Sequence, residues 1–474
     1  MRKAGVLMPV SALPNKYGIG SFGIDAYKFI DFLVESKQTY WQVLPLNPTS
    51  YGDSPYQALS AFAGSPYYID LDMLFDEGLL SKEIIDKEIY LQNKIDYEHL
   101  FNTRFKILKV AYINFIKTIP QDYESFCMEN SFWLINYANY MSLKEANNYE
   151  SWNKWKNKNI DTDKLGFWKF TQYIFCKQWF KLKKYANEKN IKIIGDMPIY
   201  VAYDSADVYS EPENYFLDSE NLPVKIAGVP PDQFCENGQL WGNPIYNWEY
   251  MQKNNFDWWK LRIKFSIKSF DLIRIDHFRG FESYYAIPFG QTTAKNGEWF
   301  KAPGILLFNE IKKEIKNVEI IAEDLGYLDE DVRNMLKQTA YPGMKVLQFA
   351  FSNDNSEYLP INYANNCVVY TGTHDNATTR AWYKALSETE KIRFKINVPR
   401  FKNEKVSMAL IRFALNSIAD TAIISIQDYM NLDIDARINT PSTLGDNWIW
   451  RLNNNYSQKS LIQKIAKLTV LSGR

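Results

Sequence analysis

Short apolar runs that stop at polar or turn residues recur along the chain. In the runs Ile193-Ile194 and Ile320-Ile321 the apolar residues are consecutive, as in strands of a parallel sheet that is buried on both faces. This pattern predicts eight strands: Gly5–Val10, Tyr40–Leu46, Lys192–Met197, Asp271–Ile275, Val318–Glu323, Lys345–Phe349, Cys367–Gly372 and Ala422–Gln427.

Helical periodicity fills several of the intervals between these runs. Phe29, Phe32 and Leu33 lie at positions i, i+3 and i+4, and Ile311 and Ile315 are four residues apart. Alternating strands and helices favour a parallel α/β fold, and eight strands predict a (β/α)8 TIM barrel. The alternative is a doubly wound open sheet. If that sheet bound a nucleotide it would need a glycine-rich phosphate loop, and the sequence has none.

Two intervals are much longer than a crossover helix requires. We therefore predict a single catalytic barrel over residues 1–474 that carries two large, mostly helical insertions between strands 2 and 3 and strands 3 and 4. Residues 47–190 form the first, an inserted helical subdomain rich in Trp, Tyr, Lys and Asn. Residues 198–268 form the second, a loop and helix subdomain that covers the cleft, because long loops in compact enzymes are usually functional.

The charge balance restricts the partners that the protein can bind. The chain has 55 basic and 55 acidic residues, a formal net charge of zero, and no basic stripe. Nucleic acids and anionic membranes are gripped mainly through clustered Lys and Arg, so we predict neither as a partner. A neutral substrate fits better. Aromatic residues make up 16% of the chain; most of them must be core, and some could instead line a sugar-binding groove.

Cysteine usage and the chain start predict a cytoplasmic protein. The four cysteines are far apart and without metal-ligand spacing, which favours reduced thiols: Cys127, Cys176, Cys235 and Cys367. Met1–Pro9 is positively charged but no sustained apolar stretch follows, so we expect no signal peptide. No run approaches the roughly 18 apolar residues that a membrane helix needs.

Three predicted strands end in a carboxylate. Asp276 ends the fourth, Glu323 the fifth, and Asp375 follows the seventh. The C-terminal ends of barrel strands converge on one face, where active sites are built, so we expect these three side chains to meet there. Taken singly, each Asp has another common use as a turn former or helix N-cap.

The neighbours of the carboxylates suit catalysis. Arg274 is two residues from Asp276, so the two side chains should lie on the same side of the strand. We expect its guanidinium to lower the pKa of Asp276 and keep it ionised. His277 and His374 adjoin two of the carboxylates, and neutral imidazoles can hydrogen-bond sugar hydroxyls. A structural ion pair and a metal site are the alternatives, although no local metal spacing occurs.

At these residues the chain resembles the amylomaltases, 4-α-glucanotransferases of glycoside hydrolase family seventy-seven, which are related to the α-amylases. The resemblance runs nearly end to end. Besides the three strand ends, the matching strings are Tyr17–Gly20, Trp41–Leu46, Tyr51–Gln57, Gly195–Pro198, Val229–Asp232, Gly242–Pro244, Asp435–Arg437 and Asn447-Trp448. Ala377 is a departure, because relatives often carry an acidic residue there.

The resemblance implies a role for each matched residue. Asp276 is the expected nucleophile, Glu323 the general acid and then base, and Asp375 the residue that binds the distorted sugar. Further residues are expected to bind substrate: Arg274, His277, His374, Tyr51, Asp196, Gln239, Trp241 and Asn447. The loop around Pro231–Trp241 is expected to cover the cleft, and no metal or organic cofactor is implied.

The implied reaction moves 1,4-α-glucan segments between maltooligosaccharides, with α-1,4-glucans as donor and acceptor. It is a retaining double displacement, for which the two working carboxyl groups lie about 5–5.5 Å apart. Glu323 should then be protonated and Asp276 charged, and the charges of Asp276 and Asp324 should raise the pKa of Glu323. An α-glucan hydrolase with the same carboxylates and a non-catalytic glucan-binding protein are the alternatives.

Overall fold

A closed barrel of eight parallel strands forms the centre of the molecule and confirms the predicted (β/α)8 TIM barrel. The computed structural model describes residues 2–231, 236–316, 318–326 and 328–474, apart from the side chain of Tyr51. The strands are β1 (Lys3–Leu7), β2 (Tyr40–Gln42), β3 (Lys192–Met197), β4 (Lys225–Val229), β5 (Gln239–Pro244), β6 (Leu272–Ile275), β7 (Ser283–Pro288), β8 (Glu298–Lys301), β9 (Ile320–Ala322), β10 (Gly343–Val346), β11 (Cys367–Tyr370) and β12 (Thr421–Ser425).

The order of strands round the barrel is β1, β2, β3, β6, β9, β10, β11 and β12, and β12 closes onto β1. Most neighbouring strands share three to five registered residue pairs. The neighbours β9 and β10 share one, Gly343 with Ala322. Among the neighbouring barrel strands, β9 and β10 therefore have the fewest paired residues.

Helices surround the barrel and fill its insertions. They are α1 (Ile24–Glu35), α2 (Leu71–Asp76), α3 (Lys82–Ile85), α4 (Tyr97–Phe115), α5 (Asp122–Glu129), α6 (Ser131–Ala146), α7 (Thr162–Glu188), α8 (Ala206–Ser210), α9 (Trp248–Lys253), α10 (Asp257–Ser269), α11 (Gly304–Glu314), α12 (Glu330–Thr339), α13 (Thr379–Ala385), α14 (Glu388–Asn397), α15 (Val406–Asn416), α16 (Ile426–Tyr429) and α17 (Lys459–Leu471). Within the described residues, none of these helices is both long and apolar enough to cross a membrane.

The consecutive apolar residues of the strands pack on opposite sides of the barrel wall. Ile194 and Ile321 belong to a cluster made mainly of residues from the barrel strands, together with Tyr370. Their neighbours Ile193 and Ile320 pack in the larger cluster that includes the helices. Two buried faces per strand explain why the apolar runs do not alternate with polar residues.

Several strands are shorter than the apolar runs that predict them. The run Tyr40–Leu46 becomes β2, which ends at Gln42. Val43, Leu44 and Leu46 are buried all the same, at 0%, 4% and 6% exposure. An apolar run indicates that its residues are buried, whereas a strand also requires hydrogen bonds to a neighbouring strand. The end of the apolar run and the end of the strand therefore need not coincide.

The segment 198–268 was predicted to be a subdomain of loops and helices, but it also contains two strands, β4 and β5. β4 and β5 pair with β7 and β8 in a four-stranded antiparallel sheet of order β5-β4-β7-β8. β7 and β8 come from a further insertion after β6, which the sequence analysis did not predict. The segment 47–190, by contrast, holds the helices α2 to α7 and no named strand among its described residues.

Candidate active site

Asp276 and Glu323 lie side by side where two adjacent strands end. Asp276 directly follows β6 and Glu323 directly follows β9. The amide of Asp276 donates to the carbonyl of Met197 at 3.0 Å, and that of Glu323 donates to the carbonyl of Ile275 at 3.1 Å. Each carboxylate therefore stands on backbone that is hydrogen-bonded to the preceding strand of the barrel.

Arg274 joins the two carboxylates from below. Its Nη2 lies 3.2 Å from Asp276 Oδ1 and 3.0 Å from Glu323 Oε2. Its Nη1 lies 2.6 and 2.7 Å from the two oxygens of Asp196. Burial acts to lower the pKa of Arg274, but the charges of the three carboxylates raise it by more. The net shift is upward, so the guanidinium remains a cation.

Asp196 was predicted to bind substrate, and the structure gives it other partners. Both of its oxygens face Arg274, and one also accepts a hydrogen bond from the Tyr56 hydroxyl at 2.8 Å. Its side chain has no exposed surface. Asp196 therefore orients Arg274 and Tyr56, and its role in binding substrate stays a prediction.

In the free site the pKa of Asp276 is raised and that of Glu323 is lowered. Burial and then the charge of Glu323 raise the pKa of Asp276, and together they outweigh Arg274. Burial also acts to raise the pKa of Glu323, but Arg274 and the amide of His277, which donates to Glu323 Oε2 at 2.6 Å, lower it overall. These directions differ from the expected ones, because Arg274 contacts both carboxylates and the His277 amide lowers the pKa of Glu323.

His277 turns the chain away from the end of β6. Its φ of 48° is in the left-handed region, which brings its amide onto Glu323. Its ring packs edge-on against Trp241, with centroids 4.7 Å apart. Burial lowers the pKa of His277 to about 4, so the imidazole is neutral near pH 7 and able to hydrogen-bond a sugar hydroxyl.

Asp375 is held by a second segment of the chain. Asn439 Nδ2 donates to Asp375 Oδ1 at 2.6 Å, and Arg437 Nη2 donates to its backbone carbonyl at 2.6 Å. His374 Nε2 lies 3.3 Å from Asp375 Oδ1, and its ring stacks on Tyr56 with centroids 5.1 Å apart. Since Tyr56 also bonds Asp196, this ring connects Asp375 to the Arg274 cluster.

Three further residues that were predicted to bind substrate, Gln239, Trp241 and Asn447, hydrogen-bond within their own strand or loop. Gln239 and Trp241 lie on β5, where Trp241 Nε1 donates to Gln239 Oε1 at 3.1 Å. Asn447 is bound within its own loop: its Oδ1 accepts from the amide of Thr440 at 2.8 Å, and its Nδ2 donates to Thr443 Oγ1 at 3.0 Å. This geometry favours a loop-bracing role for Asn447.

Two predicted features fall partly outside the described residues. The side chain of Tyr51 is one, and the segment Asp232–Cys235 of the predicted covering loop is the other. Tyr56 and Asn439 are site residues that the sequence analysis missed. Tyr56 lies within the string Tyr51–Gln57, which was singled out as a whole, whereas Asn439 follows the string Asp435–Arg437 by two residues.

The close pair of carboxylates suits a retaining reaction. Asp276 and Glu323 share Arg274 Nη2, which lies 3.2 Å from the first and 3.0 Å from the second. Inverting glycosidases hold their carboxyl groups about 6.5–9.5 Å apart to admit a water, whereas retaining enzymes hold them closer. In the described ranges, no group of three or more His, Cys, Asp or Glu side chains is placed to hold a metal ion.

Replacing Arg274 by Met is expected to lower the free energy of unfolding by about 3–5 kcal/mol near pH 7.5, because it leaves buried carboxylates without their cation. Arg274 acts to lower the pKa of Asp276 and Glu323, so its loss raises both folded-state values. The folded variant then binds more protons than the unfolded chain, and its deficit shrinks as the pH falls toward 5.

Urea unfolding of both proteins across that pH range measures the deficit. Arg393→Met is the matched control, since Arg393 pairs with the exposed Asp354 on the surface. Its effect should stay within about 0.5 kcal/mol at every pH. A deficit for Arg274→Met that is constant with pH would contradict the electrostatic explanation.

Comparisons with known proteins agree with the barrel and identify its family. The family model described as 4-alpha-glucanotransferase, glycoside hydrolase family seventy-seven, matches residues 8–457. The 4-alpha-glucanotransferase of Clostridium butyricum is 49% identical over 98% of this chain and 100% of its own length. That of Streptococcus pneumoniae is 43% identical over 100% of this chain and 97% of its own.

A solved structure of the amylomaltase from Streptococcus agalactiae, in complex with acarbose, superimposes with a TM-score of 0.97. It is 40% identical in sequence, and the match covers 100% of both chains. A family model over most of the chain, relatives of this identity and a common fold all lead to the same assignment. The chain belongs to the 4-α-glucanotransferase family, glycoside hydrolase family seventy-seven.

Proposed function

We propose that the chain transfers 1,4-α-glucan segments between maltooligosaccharides, with Asp276 as nucleophile, Glu323 as acid and base, and Asp375 as the ligand of the distorted sugar. The observation that carries the proposal is that Asp276 and Glu323 meet at one nitrogen, Arg274 Nη2, at 3.2 and 3.0 Å. Family membership supports the reaction type, and the acarbose complex of the Streptococcus agalactiae enzyme supports a glucan-like ligand.

The first half of the reaction breaks the glycosidic bond of the donor. Asp276 attacks the anomeric carbon while Glu323 gives its proton to the leaving oxygen, so a β-linked glucosyl-enzyme and a shortened glucan form. Since the pKa of Glu323 is lowered in the free site, Glu323 must take up a proton as the donor binds, and transfer from the neighbouring carboxyl of Asp276 can supply it. The net charge of the pair is unchanged by that transfer.

The second half remakes a bond. Glu323, now a carboxylate, removes a proton from the 4-hydroxyl of an acceptor glucan, and the acceptor oxygen displaces Asp276. Asp375 stabilises the positive charge that develops on the sugar ring in both halves. Arg274 holds the departing Asp276 as an anion, which favours its release.

The aromatic side chains above the carboxylates suit a glucan chain. Tyr56 stacks on His374, Trp448 lies 5.8 Å from Tyr56, and Trp241 packs on His277. A site rimmed by rings excludes water and orders an acceptor sugar, which favours transfer over hydrolysis.

We also propose a cytoplasmic location, supported by the free thiols of the described cysteines Cys127, Cys176 and Cys367.

Incubation with pure maltotriose tests the proposal. Transfer yields glucose together with longer oligosaccharides, while the number of reducing ends stays constant, because each broken bond is remade. Chromatography of the products and a reducing-end assay measure the two quantities. Rising reducing ends would identify a hydrolase instead, and unchanged maltotriose would identify a binding protein.

A further inference from the structure

Glu323 stands at the seam of the barrel that has the fewest backbone hydrogen bonds. β9 is three residues long, ends at Ala322 and shares one registered pair with β10. The amide of Ala322 also donates to the carbonyl of Pro342 at 2.9 Å. On the other side, β9 and β6 share three registered pairs, so the end of β9 is well anchored to β6 alone.

The side chain of Asp324 crosses this seam. Its Oδ1 accepts the backbone amide of Met344 at 2.6 Å, and the residue is 7% exposed. Its Oδ2 lies over Gly343, since a Cβ added to that glycine would lie 2.4 Å from the oxygen. The carboxylate thus supplies an acceptor to a buried strand amide where the backbone ladder stops.

Glu323 is therefore held between two anchors. On the β6 side its amide donates to Ile275 and its carbonyl accepts from Phe278, both at 3.1 Å. On the β10 side the next residue, Asp324, is bound to Met344. We propose that Asp324 is a positioning residue that fixes the carboxyl of Glu323 for proton transfer by tying the end of β9 to β10.

The alternative role for Asp324 is electrostatic. The sequence analysis expected its charge to raise the pKa of Glu323, yet its carboxylate points at the backbone of β10, and the pKa of Glu323 is lowered overall. Asparagine separates the two roles. It keeps an oxygen to accept the Met344 amide but carries no charge, whereas leucine has neither.

The test compares two donors in the Asp324→Asn and Asp324→Leu enzymes. Maltotriose needs a proton from Glu323 to release its leaving group, whereas α-maltosyl fluoride releases fluoride with little acid assistance. For Asp324→Leu we expect kcat on maltotriose to fall by about 10²-fold, the cost of displacing a catalytic group by about 1 Å, with KM changed less than threefold. Fluoride release in the first turnover should fall less than about fivefold, and Asp324→Asn should stay within about threefold of the parent on both donors.

Two further variants keep the test decisive. Gly343→Ala displaces the carboxylate from the other side and leaves Asp324 itself unchanged, so it should reproduce the donor-dependent loss even if Asp324→Leu folds poorly. Asp207→Leu is the matched control. Asp207 is also 7% exposed and accepts a backbone amide, that of Ala61 at 2.8 Å, but it lies outside the β9–β10 seam. Thermal unfolding should show a comparable stability loss in this control, without donor dependence.

Three results would overturn the proposal: equal losses on both donors, an Asp324→Asn enzyme as poor as Asp324→Leu, or parental activity in both Asp324→Leu and Gly343→Ala. The inference rests on the acid role proposed for Glu323, and the two failures are distinguishable. If that role is wrong, maltotriose transfer survives in Glu323→Gln. If only the positioning is wrong, Glu323→Gln is inactive on maltotriose while the Asp324 and Gly343 variants show no donor dependence.

Discussion

Asp276→Asn should lose maltotriose transfer by on the order of 10⁵-fold in kcat, comparable to the loss of a catalytic nucleophile in other covalent enzymes. Asparagine keeps the shape of the side chain but cannot form the glycosyl ester. It also cannot become the anion that Arg274 Nη2, 3.2 Å away, stabilises when the glycosyl ester is broken. Initial rates of glucose release from maltotriose, with the variant checked by mass spectrometry for deamidation back to Asp, measure the effect.

Asp276→Ala extends this test from activity to stereochemistry. The shortened side chain leaves room for azide, which can attack an α-maltosyl fluoride from the face that Asp276 occupied. The expected product is β-maltosyl azide, with inverted configuration. Product of α configuration would contradict the nucleophile assignment. Asp257→Asn serves as the control, because the Asp257 side chain is 72% exposed on α10 and should leave the rate unchanged.

Glu323→Gln should reduce kcat on maltotriose by roughly 10²–10⁴-fold, the usual contribution of a general acid or base. Both half-reactions use this group, so the loss should lie toward the upper end. With α-maltosyl fluoride the first half should proceed, because fluoride is a good leaving group, while the second stalls for lack of a base. Intact-protein mass spectrometry should then detect a covalent maltosyl-enzyme.

The trapped species also tests the pairing of the two residues. The double variant Asp276→Asn with Glu323→Gln should not gain the mass of a maltosyl group. In the Glu323→Gln single variant, proteolysis should place the added maltosyl group on Asp276. Glu249→Gln is the control, since the Glu249 side chain is 78% exposed on α9. A Glu323→Gln enzyme with parental activity on maltotriose would remove Glu323 from the mechanism.

The barrel could be predicted from the sequence because each of its strands is buried on both faces. Ile193-Ile194 and Ile320-Ile321 report that environment directly, whatever the long-range pairing. The antiparallel sheet could not be predicted in the same way. β4 pairs with β7, more than fifty residues later, and nothing in the local sequence of either strand specifies that partner or its antiparallel direction. Such pairing depends on tertiary contacts that local periodicity does not record.

The carboxylates could be predicted from the sequence, but the directions of their pKa shifts could not. The spacing of Arg274 and Asp276 places them on one side of a strand, and the structure does bring them together at 3.2 Å. The spacing contains nothing about Glu323, whose contact with Arg274 Nη2 at 3.0 Å and with the His277 amide makes it the better site for the charge. Those contacts arise from strand order round the barrel and from the left-handed turn at His277.

The order in which the strands close has a consequence for synthesis of the protein. β1 pairs with β12, so Lys3 finds Thr421 as its neighbour more than four hundred residues later. While the ribosome is still translating, β1 has only β2 beside it and the growing sheet has two open edges. Cooperative closure must wait until the chain beyond residue 425 has left the exit tunnel, and pairing over such a sequence distance is slow. Nascent chains of this protein are therefore expected to depend on chaperones to shield those edges until β12 has emerged.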